Sequence, residues 1–346
     1  MKILITGGSG FLGMHLAKHF QSDGHRVTLL DIADFDPSEY QGKFSFITAD
    51  IRNRYAIEKA VTDSDYVVHA AAALPLWKKE DILTTNILGT KNILSLARKH
   101  RVKRVVYISS TAVYGVPKKH PIYENDRLVG VGPYGISKIE AEKACWRAIK
   151  RGLNVTILRP KTFVGTGRLG VFEILFDWIH DGKKIPVVGS GNNRYQLLDV
   201  DDLVSAIVHI ILSRSERMND VFNIGAAEFD TVRKDLGKVF ASAKSKSRIQ
   251  PTPAFLTKWS LRFLELMNLS PLYRWVYDTA DKDSYVSIEK LTKTIRWKPR
   301  YSNADALIKA YRWYQKHYDE IKKGSSGVTH RVGWKQGALS IVKRLM

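Results

Sequence analysis

Tyr134 and Lys138 are the residues whose types and spacing most directly indicate chemistry. They lie in PYGISK (residues 133–138), where a spacing of four puts both side chains on one face of a helix. There the Lys ammonium can favour the phenolate and lower the Tyr pKa towards neutrality, as proton transfer at neutral pH requires. An ordinary exposed helix turn can carry the same pair, so the surrounding elements must decide between these interpretations.

Length and composition limit the classes of protein to consider. A chain of 346 residues with 44% hydrophobic content can form one large α/β domain, or a sheet domain with a smaller lobe. The single cysteine, Cys145, excludes a disulfide framework and a multi-cysteine metal site. We expect a cytoplasmic protein without a bound metal. The N-terminal residues lack a charged leader, and we find no apolar run long enough for a membrane span.

The formal charge is +21, from 55 Lys and Arg against 34 Asp and Glu. Such a surface attracts polyanions, phosphorylated substrates or an anionic membrane leaflet, and charge alone does not choose among them. The sequence carries none of the usual nucleic-acid recognition signatures, so we do not expect a nucleic-acid partner.

The first half alternates between strand-like and helix-like segments. The apolar run KILIT (2–6) is followed by a glycine turn, by the helical pattern FLGMHLAKHFQSDG (11–24), and by the strand HRVTLLD (25–31). The alternation recurs as far as VKRVVYISS (102–110). Repeated β-α-β units predict a Rossmann-type α/β fold, a doubly wound parallel sheet with helices on both faces.

The first turn, TGGSGFLG (6–13), has the glycine spacing of a dinucleotide site. Gly7 permits the tight turn, Gly10 lets the backbone approach a pyrophosphate, and Gly13 lets the helix pack against the strand. Asp31 ends the second strand, where its carboxylate can accept hydrogen bonds from an adenosine ribose and would repel a 2′-phosphate. The Asp31 carboxylate therefore favours NAD over NADP. The position of the glycines between a strand and a helix favours dinucleotide binding over a merely structural glycine turn.

With both halves considered, the chain resembles the NAD-dependent epimerase/dehydratase family of the extended short-chain dehydrogenase/reductase superfamily. The matching segments run in order along most of the chain: TGGSGFLG (6–13), ADI (49–51), HAAA (69–72), NILGT (86–90), SSTAVYG (109–115), YGISK (134–138), LRP (158–160) and LLDVDDLVSAI (197–207). The resemblance implies a cofactor site formed by Gly7, Gly10, Phe11, Leu12, Gly13, Asp31, Asp50, Ile51, Ala71, Ala72, Ala73, Tyr134, Lys138 and Pro160.

The resemblance also implies catalytic roles. The family's serine/threonine position falls on Ser110, with Ser109 and Thr111 as alternatives. Ser110 would hydrogen-bond the substrate oxygen, Tyr134 would move its proton, and Lys138 would lower the Tyr pKa and hold the nicotinamide ribose. Thr111 and Arg194 are predicted substrate contacts, although a solvated arginine would explain Arg194 as well.

The residues after the serine/threonine position bear on the type of reaction. Sugar dehydratases of this family often carry Asp-Glu after the serine/threonine position, whereas this chain has Thr111 and Ala112, neither of which is a carboxylic acid. The sequence therefore predicts an NAD-dependent sugar epimerase acting on a nucleotide-linked or polyprenyl-diphosphate-linked sugar. A 3β-hydroxysteroid-type dehydrogenase with net hydride transfer and a non-catalytic NAD-sensing scaffold are the alternatives.

The second half supplies a substrate lobe and a tail. We predict an NAD-binding domain at 1–160, a substrate-binding lobe interleaved with the last sheet strands at 161–320, and a basic amphipathic tail at 321–346. The apolar segment 253–275 would form core helices or an apolar substrate wall. In the tail, helical spacing relates Trp334, Ala338, Ile341, Val342 and Leu345, which would contact an anionic membrane, the protein's own surface or a second subunit. The resemblance implies a homodimer formed by the helices near 90–100 and 134–150.

Overall fold

The computed structural model describes residues 1–35, 40, 42–266, 274–324, 331 and 343. Its strands are β1 (Lys2–Thr6), β2 (Arg26–Asp31), β3 (Ser45–Thr48), β4 (Tyr66–His69), β5 (Arg104–Ile108), β6 (Val155–Pro160), β7 (Phe163–Val164), β8 (Lys184–Val188), β9 (Leu198–Asp199), β10 (Val221–Ile224) and β11 (Arg248–Thr252). Its α-helices are α1 (Phe11–Ser22), α2 (Arg54–Thr62), α3 (Lys79–Leu83), α4 (Thr90–Lys99), α5 (Gly132–Ile149), α6 (Val171–His180), α7 (Val200–Leu212), α8 (Val232–Ala243), α9 (Ala254–Leu266), α10 (Arg274–Thr279), α11 (Glu289–Ile295), α12 (Asn303–Lys316) and α13 (Tyr318–Lys323).

Seven strands form one parallel sheet in the order β10-β6-β5-β4-β1-β2-β3. The order reverses beside β1, and the carboxyl ends of parallel strands meet at one edge, so the loops that follow β1 and β4 open a crevice there. This arrangement confirms the predicted doubly wound Rossmann-type fold.

Helices cover both faces of the sheet with apolar side chains. On one face, α1 and α7 pack Leu16 and Leu203 against the strands. On the other, α2, α4 and α5 bury Ile57, Ile93 and Ala141. Strands buried on both faces need the nearly continuous apolar runs that the sequence shows in β1, β5 and β6.

The second half of the chain contributes to the sheet and also builds a separate cluster. Strand β10 pairs with β6 at one edge of the sheet, whereas α6, α8 and α12 enclose another apolar core around Phe176, Val239 and Tyr314. The short pairs β8–β11 and β7–β9 flank that core. Dividing the chain at residue 160, and dimerisation through α4 and α5, stay predictions.

The tail residues predicted to form an amphipathic stripe, Trp334, Ala338, Ile341, Val342 and Leu345, lie outside the described residues. None of the helices in the described part of the chain is both long enough and apolar enough to cross a membrane.

Candidate active site

The glycine turn after β1 is a close-packed backbone cradle. Gly7 has a φ of 74°, and a Cβ there would come within 2.8 Å of the Ala71 nitrogen. A Cβ on Gly13 would collide with the carbonyl oxygen of Gly7. Only glycine can therefore occupy either position without moving the backbone. The turn leads into α1, whose first amide groups face the same crevice as the loop.

Asp31 lies at the end of β2, opposite the glycine turn. Its carboxylate oxygens accept hydrogen bonds from the backbone N–H groups of Ser9, at 3.1 Å, and Ala33, at 3.2 Å. These contacts hold the carboxylate at the rim of the crevice. Its position fits recognition of ribose hydroxyls, and its charge disfavours a phosphate there.

A cavity of about 800 Å³ extends from the glycine turn to the Tyr134 helix. All the predicted cofactor residues line it: Gly7, Gly10, Phe11, Leu12, Gly13, Asp31, Asp50, Ile51, Ala71, Ala72, Ala73, Tyr134, Lys138 and Pro160. The cavity size and the glycine cradle fit an extended dinucleotide with room for a substrate beside it. In the same crevice, burial alone would raise the pKa of Asp50, but hydrogen bonds from Arg52 hold it below its usual range.

The structure brings Ser110, Tyr134 and Lys138 together at the other end of this cavity. Ser110 follows β5, and its hydroxyl accepts a hydrogen bond from the Ala112 N–H at 3.1 Å. Tyr134 and Lys138 share one face of α5, with the Lys138 Nζ 5.8 Å from the centre of the Tyr134 ring. Pro133 occupies the first turn of this helix, where its missing N–H costs nothing.

Burial is the largest influence on the pKa values of Tyr134 and Lys138. It raises the pKa of Tyr134 to about 12, while the Ser110 side chain and the charge of Arg168 act in the opposite direction. Burial also lowers the pKa of Lys138 to about 8, against the charge of Glu142, and its Nζ donates to the Ile108 carbonyl at 2.9 Å. The expected lowering of the Tyr134 pKa by Lys138 is therefore not seen, because removal of the phenolate from water outweighs the nearby charges.

Two predicted substrate contacts, Thr111 and Arg194, do not line the cavity. The Thr111 hydroxyl donates to the Pro160 carbonyl at 3.3 Å, and the residue is buried. Arg194 is exposed, with its guanidinium 4.7 Å from the Phe229 ring centre and 4.8 Å from that of Tyr285. Local hydrogen bonding and cation–π stacking account for the two positions.

Four cations in the cavity wall were not predicted as site residues: Arg52, Lys161, Arg168 and Arg331. Lys161 directly follows the LRP segment, and burial lowers its pKa to about 7. Arg168 is buried, with its guanidinium 5.1 Å from the Phe11 ring centre. Arg331 donates from Nη1 to the Ser9 carbonyl at 2.5 Å, so a residue of the tail reaches the glycine turn. The sequence shows that these side chains are cationic. It does not show that they line one cavity, because that depends on the fold.

Across the described residues, no group of three His, Cys, Asp or Glu side chains could hold a metal ion. The protein's own acid–base residues and a dinucleotide are the chemical groups that this geometry fits.

Comparison with known proteins identifies the family. Residues 3–225 match the NAD dependent epimerase/dehydratase family. The chain belongs to that family. It is an NAD-dependent enzyme of the extended short-chain dehydrogenase type, as the sequence motifs predicted.

Individual relatives of this epimerase/dehydratase-family enzyme agree with the match. An uncharacterised Sinorhizobium fredii protein is 36% identical, covering 98% of this chain and 85% of that protein. The UDP-glucose 4-epimerase of Lactobacillus helveticus is 27% identical, covering 92% of this chain and 98% of that enzyme.

Solved structures support the same fold for this family member. A Thermotoga maritima UDP-glucose 4-epimerase with UDP-glucose superposes with a TM-score of 0.77 at 23% identity, covering 92% of this chain and 100% of that one. A Bacillus cereus UDP-glucuronic acid 4-epimerase with NAD gives 0.76 at 22% identity over 92% and 100%.

Proposed function

We propose that the protein inverts the C4 hydroxyl of a nucleotide-linked sugar and keeps its NAD bound through the cycle. The observation that carries the proposal is the convergence of Ser110, Tyr134 and Lys138 in the wall of the dinucleotide cavity, with the Lys138 Nζ 5.8 Å from the centre of the Tyr134 ring. The choice of C4 rests on relatives such as the Lactobacillus helveticus UDP-glucose 4-epimerase.

Each side chain then has a defined role. Tyr134 takes the C4 hydroxyl proton as the carbinol becomes a ketone, and returns it when the hydroxyl forms again on the other face of the ring. Ser110 donates a hydrogen bond to the same oxygen, the charge of Arg168 favours the phenolate, and Lys138 holds the nicotinamide ribose. Bound NAD supplies the hydride acceptor for oxidation and the hydride donor for reduction.

The cations in the wall favour a substrate with a diphosphate. Lys161 and Arg168 are almost fully buried, and an anionic group between them would offset part of the cost of holding a positive charge away from water. A hydroxysteroid has no such group. A polyprenyl-diphosphate-linked sugar has the same diphosphate. We favour a nucleotide-linked sugar as the substrate because the names of the relatives specify UDP-sugars.

The residues after Ser110 separate epimerisation from dehydration. Thr111 and Ala112 are buried in the turn that follows β5, and neither can serve as a carboxylic acid or its conjugate base. Epimerisation needs no further acid–base pair beyond Tyr134, so the residues present suffice for it.

The test is product analysis by proton NMR with UDP-glucose, UDP-N-acetylglucosamine and UDP-glucuronic acid, while the absorbance of reduced nicotinamide is followed. We expect the C4 epimer of at least one sugar and no net NADH. Tyr134→Phe should lower the rate by roughly 10²–10⁴-fold, the usual contribution of a general base. Tyr123→Phe, at an exposed tyrosine outside the cavity wall, is the matched control.

Accumulation of NADH together with a ketone product, from these sugars or from a hydroxysteroid, would contradict the proposal and favour a net dehydrogenase. Equal activity of Tyr134→Phe and Tyr123→Phe would exclude Tyr134 as the base.

A further inference from the structure

Helix α9 carries an exposed apolar surface away from the active site. Four large apolar side chains within nine residues are largely exposed: Phe255 (79%), Leu256 (58%), Trp259 (63%) and Phe263 (55%). At about 100° per residue, these positions fall within an arc of roughly 100° on the helix. They form one continuous stripe, here called the α9 stripe, in which the Trp259 and Phe263 rings stack 6.3 Å apart.

Ion pairs fix the direction in which this stripe faces. Lys258 binds Asp281 at 2.5 Å, and Arg262 binds Asp278 at 3.2 Å. Both carboxylates belong to the segment that contains and follows α10, so the flank of α9 beside the stripe is tied to the protein. The stripe itself is left facing solvent, which ordinary core packing of this segment does not explain.

The segment that leads into α9 is basic, whereas the cations of α9 itself pair with Asp278 and Asp281. Residues 236–264 contain six Lys or Arg and no Asp or Glu. Lys238, Lys244, Lys246 and Arg248 are exposed, and the last three lie just before α9. An apolar helix face that exposed cations precede in the chain fits a helix that lies in the interface of an anionic bilayer.

We propose that α9 docks the protein on the surface of an anionic phospholipid bilayer. The α9 stripe enters the boundary between headgroups and acyl chains, and Lys244, Lys246 and Arg248 contact the lipid phosphates. The docking is independent of the active-site residues and of the choice of sugar.

A second copy of the chain fits this surface less well. A symmetric interface through the stripe would join two chains that each carry +21. An anionic leaflet instead turns each of those charges into an attraction.

The experiment is flotation of the full-length protein with vesicles of phosphatidylglycerol and phosphatidylcholine, compared with pure phosphatidylcholine. We expect binding to the anionic vesicles that weakens as salt is raised. The double variant Phe255→Gln/Trp259→Gln should have an affinity for the anionic vesicles that is lower by about tenfold or more, because two apolar side chains that enter the bilayer are lost. Leu212→Gln, at an exposed leucine of α7, is the matched control and should bind normally.

Brominated lipids provide a second measurement that does not depend on the folding of the double variant. They should quench tryptophan fluorescence of the unaltered protein, and Trp259→Phe should remove most of that quenching while vesicle binding persists. Changing Lys244, Lys246 and Arg248 to Gln should abolish the preference for phosphatidylglycerol.

Three results would overturn the proposal. One is no binding to anionic vesicles. Another is vesicle binding that is lost in Trp334→Gln of the tail and retained in the Phe255→Gln/Trp259→Gln variant. The third is a change of sedimentation mass in that double variant without a change in vesicle binding, which would make the stripe a contact between copies.

Discussion

Glu142 and Arg159 form a buried ion pair, with 2.6 Å between Glu142 Oε2 and Arg159 Nη2. The pair joins α5, which carries Tyr134, to β6, which ends at Pro160 in the cavity wall. The second carboxylate oxygen of Glu142 accepts a hydrogen bond from the Ser109 hydroxyl at 2.5 Å. One carboxylate therefore sets the spacing between the Tyr134 helix and the strand end that leads to Ser110.

Removing the charge of Glu142 should lower the stability of the folded protein. Glu142→Gln leaves the Arg159 guanidinium buried without its carboxylate, and breaking such a pair costs about 3–5 kcal/mol in the free energy of unfolding. Glu140→Gln, which breaks the exposed pair with Lys143, should cost less than about 1 kcal/mol. Urea denaturation of the two variants checks the difference, and equal losses would show that burial of the Glu142 pair does not matter.

Lys161 should make stability depend on pH. Burial lowers its pKa from 10.5 to about 7, so between these values the unfolded chain holds a proton that the folded protein lacks. The penalty is fully present below about pH 7, and stability rises with pH above it, by up to roughly 1.4 kcal/mol per unit.

Lys161→Met should therefore gain stability relative to the unaltered protein at acidic pH and lose that advantage as the pH rises towards 10. Lys18→Met, at an exposed lysine of α1, is the control for replacing a lysine at the surface. Denaturation curves at several pH values provide the measurement. A flat difference for Lys161→Met would mean that Lys161 keeps an ordinary pKa.

Asp31 should control the choice between NAD and NADP. Asp31→Asn keeps an oxygen that can accept the Ser9 or Ala33 N–H bond but removes the charge that repels a 2′-phosphate. We expect weaker NAD binding, and a ratio of NADP to NAD affinity that rises about tenfold. Calorimetric titration of both dinucleotides checks this, with the exposed Asp63→Asn as control. An unchanged ratio would count against a role for the Asp31 charge.

Arg331 should slow the loss of cofactor. Its guanidinium lies in the cavity wall and bonds to the Ser9 carbonyl of the glycine turn, close to where a pyrophosphate would approach. Arg331→Ala should retain less NAD after dialysis, with a dissociation constant raised by about tenfold, in line with loss of one charge-assisted hydrogen bond. Arg214→Ala, at an exposed arginine, should retain normal NAD. Equal retention of NAD by the two variants would show that Arg331 does not help to hold the cofactor.

The sheet and the cofactor crevice could be predicted from the sequence because their signals are local. Alternating apolar periods fix β1 to β5, and a glycine turn directly after β1 identifies the phosphate loop. The spacing of Tyr134 and Lys138 likewise determines their shared helix face.

What the sequence could not give depends on contacts between distant segments. Lys161 bonds to Ser284, which lies 123 residues further along the chain. Arg194 is drawn to the rings of Phe229 and Tyr285, and Thr111 to the Pro160 carbonyl. The spacing of the catalytic pair likewise gives no measure of how deeply Tyr134 is buried, and burial decides the direction of its pKa.

The fate of the hydride tests the central claim most directly. The protein, purified with its bound NAD, would be given a UDP-sugar deuterated at C4, and the label would be located by NMR. The account predicts that deuterium stays on C4 of both epimers and that the free nicotinamide pool remains unlabelled. Deuterium recovered in released, reduced cofactor, with an unlabelled ketone as product, would contradict it.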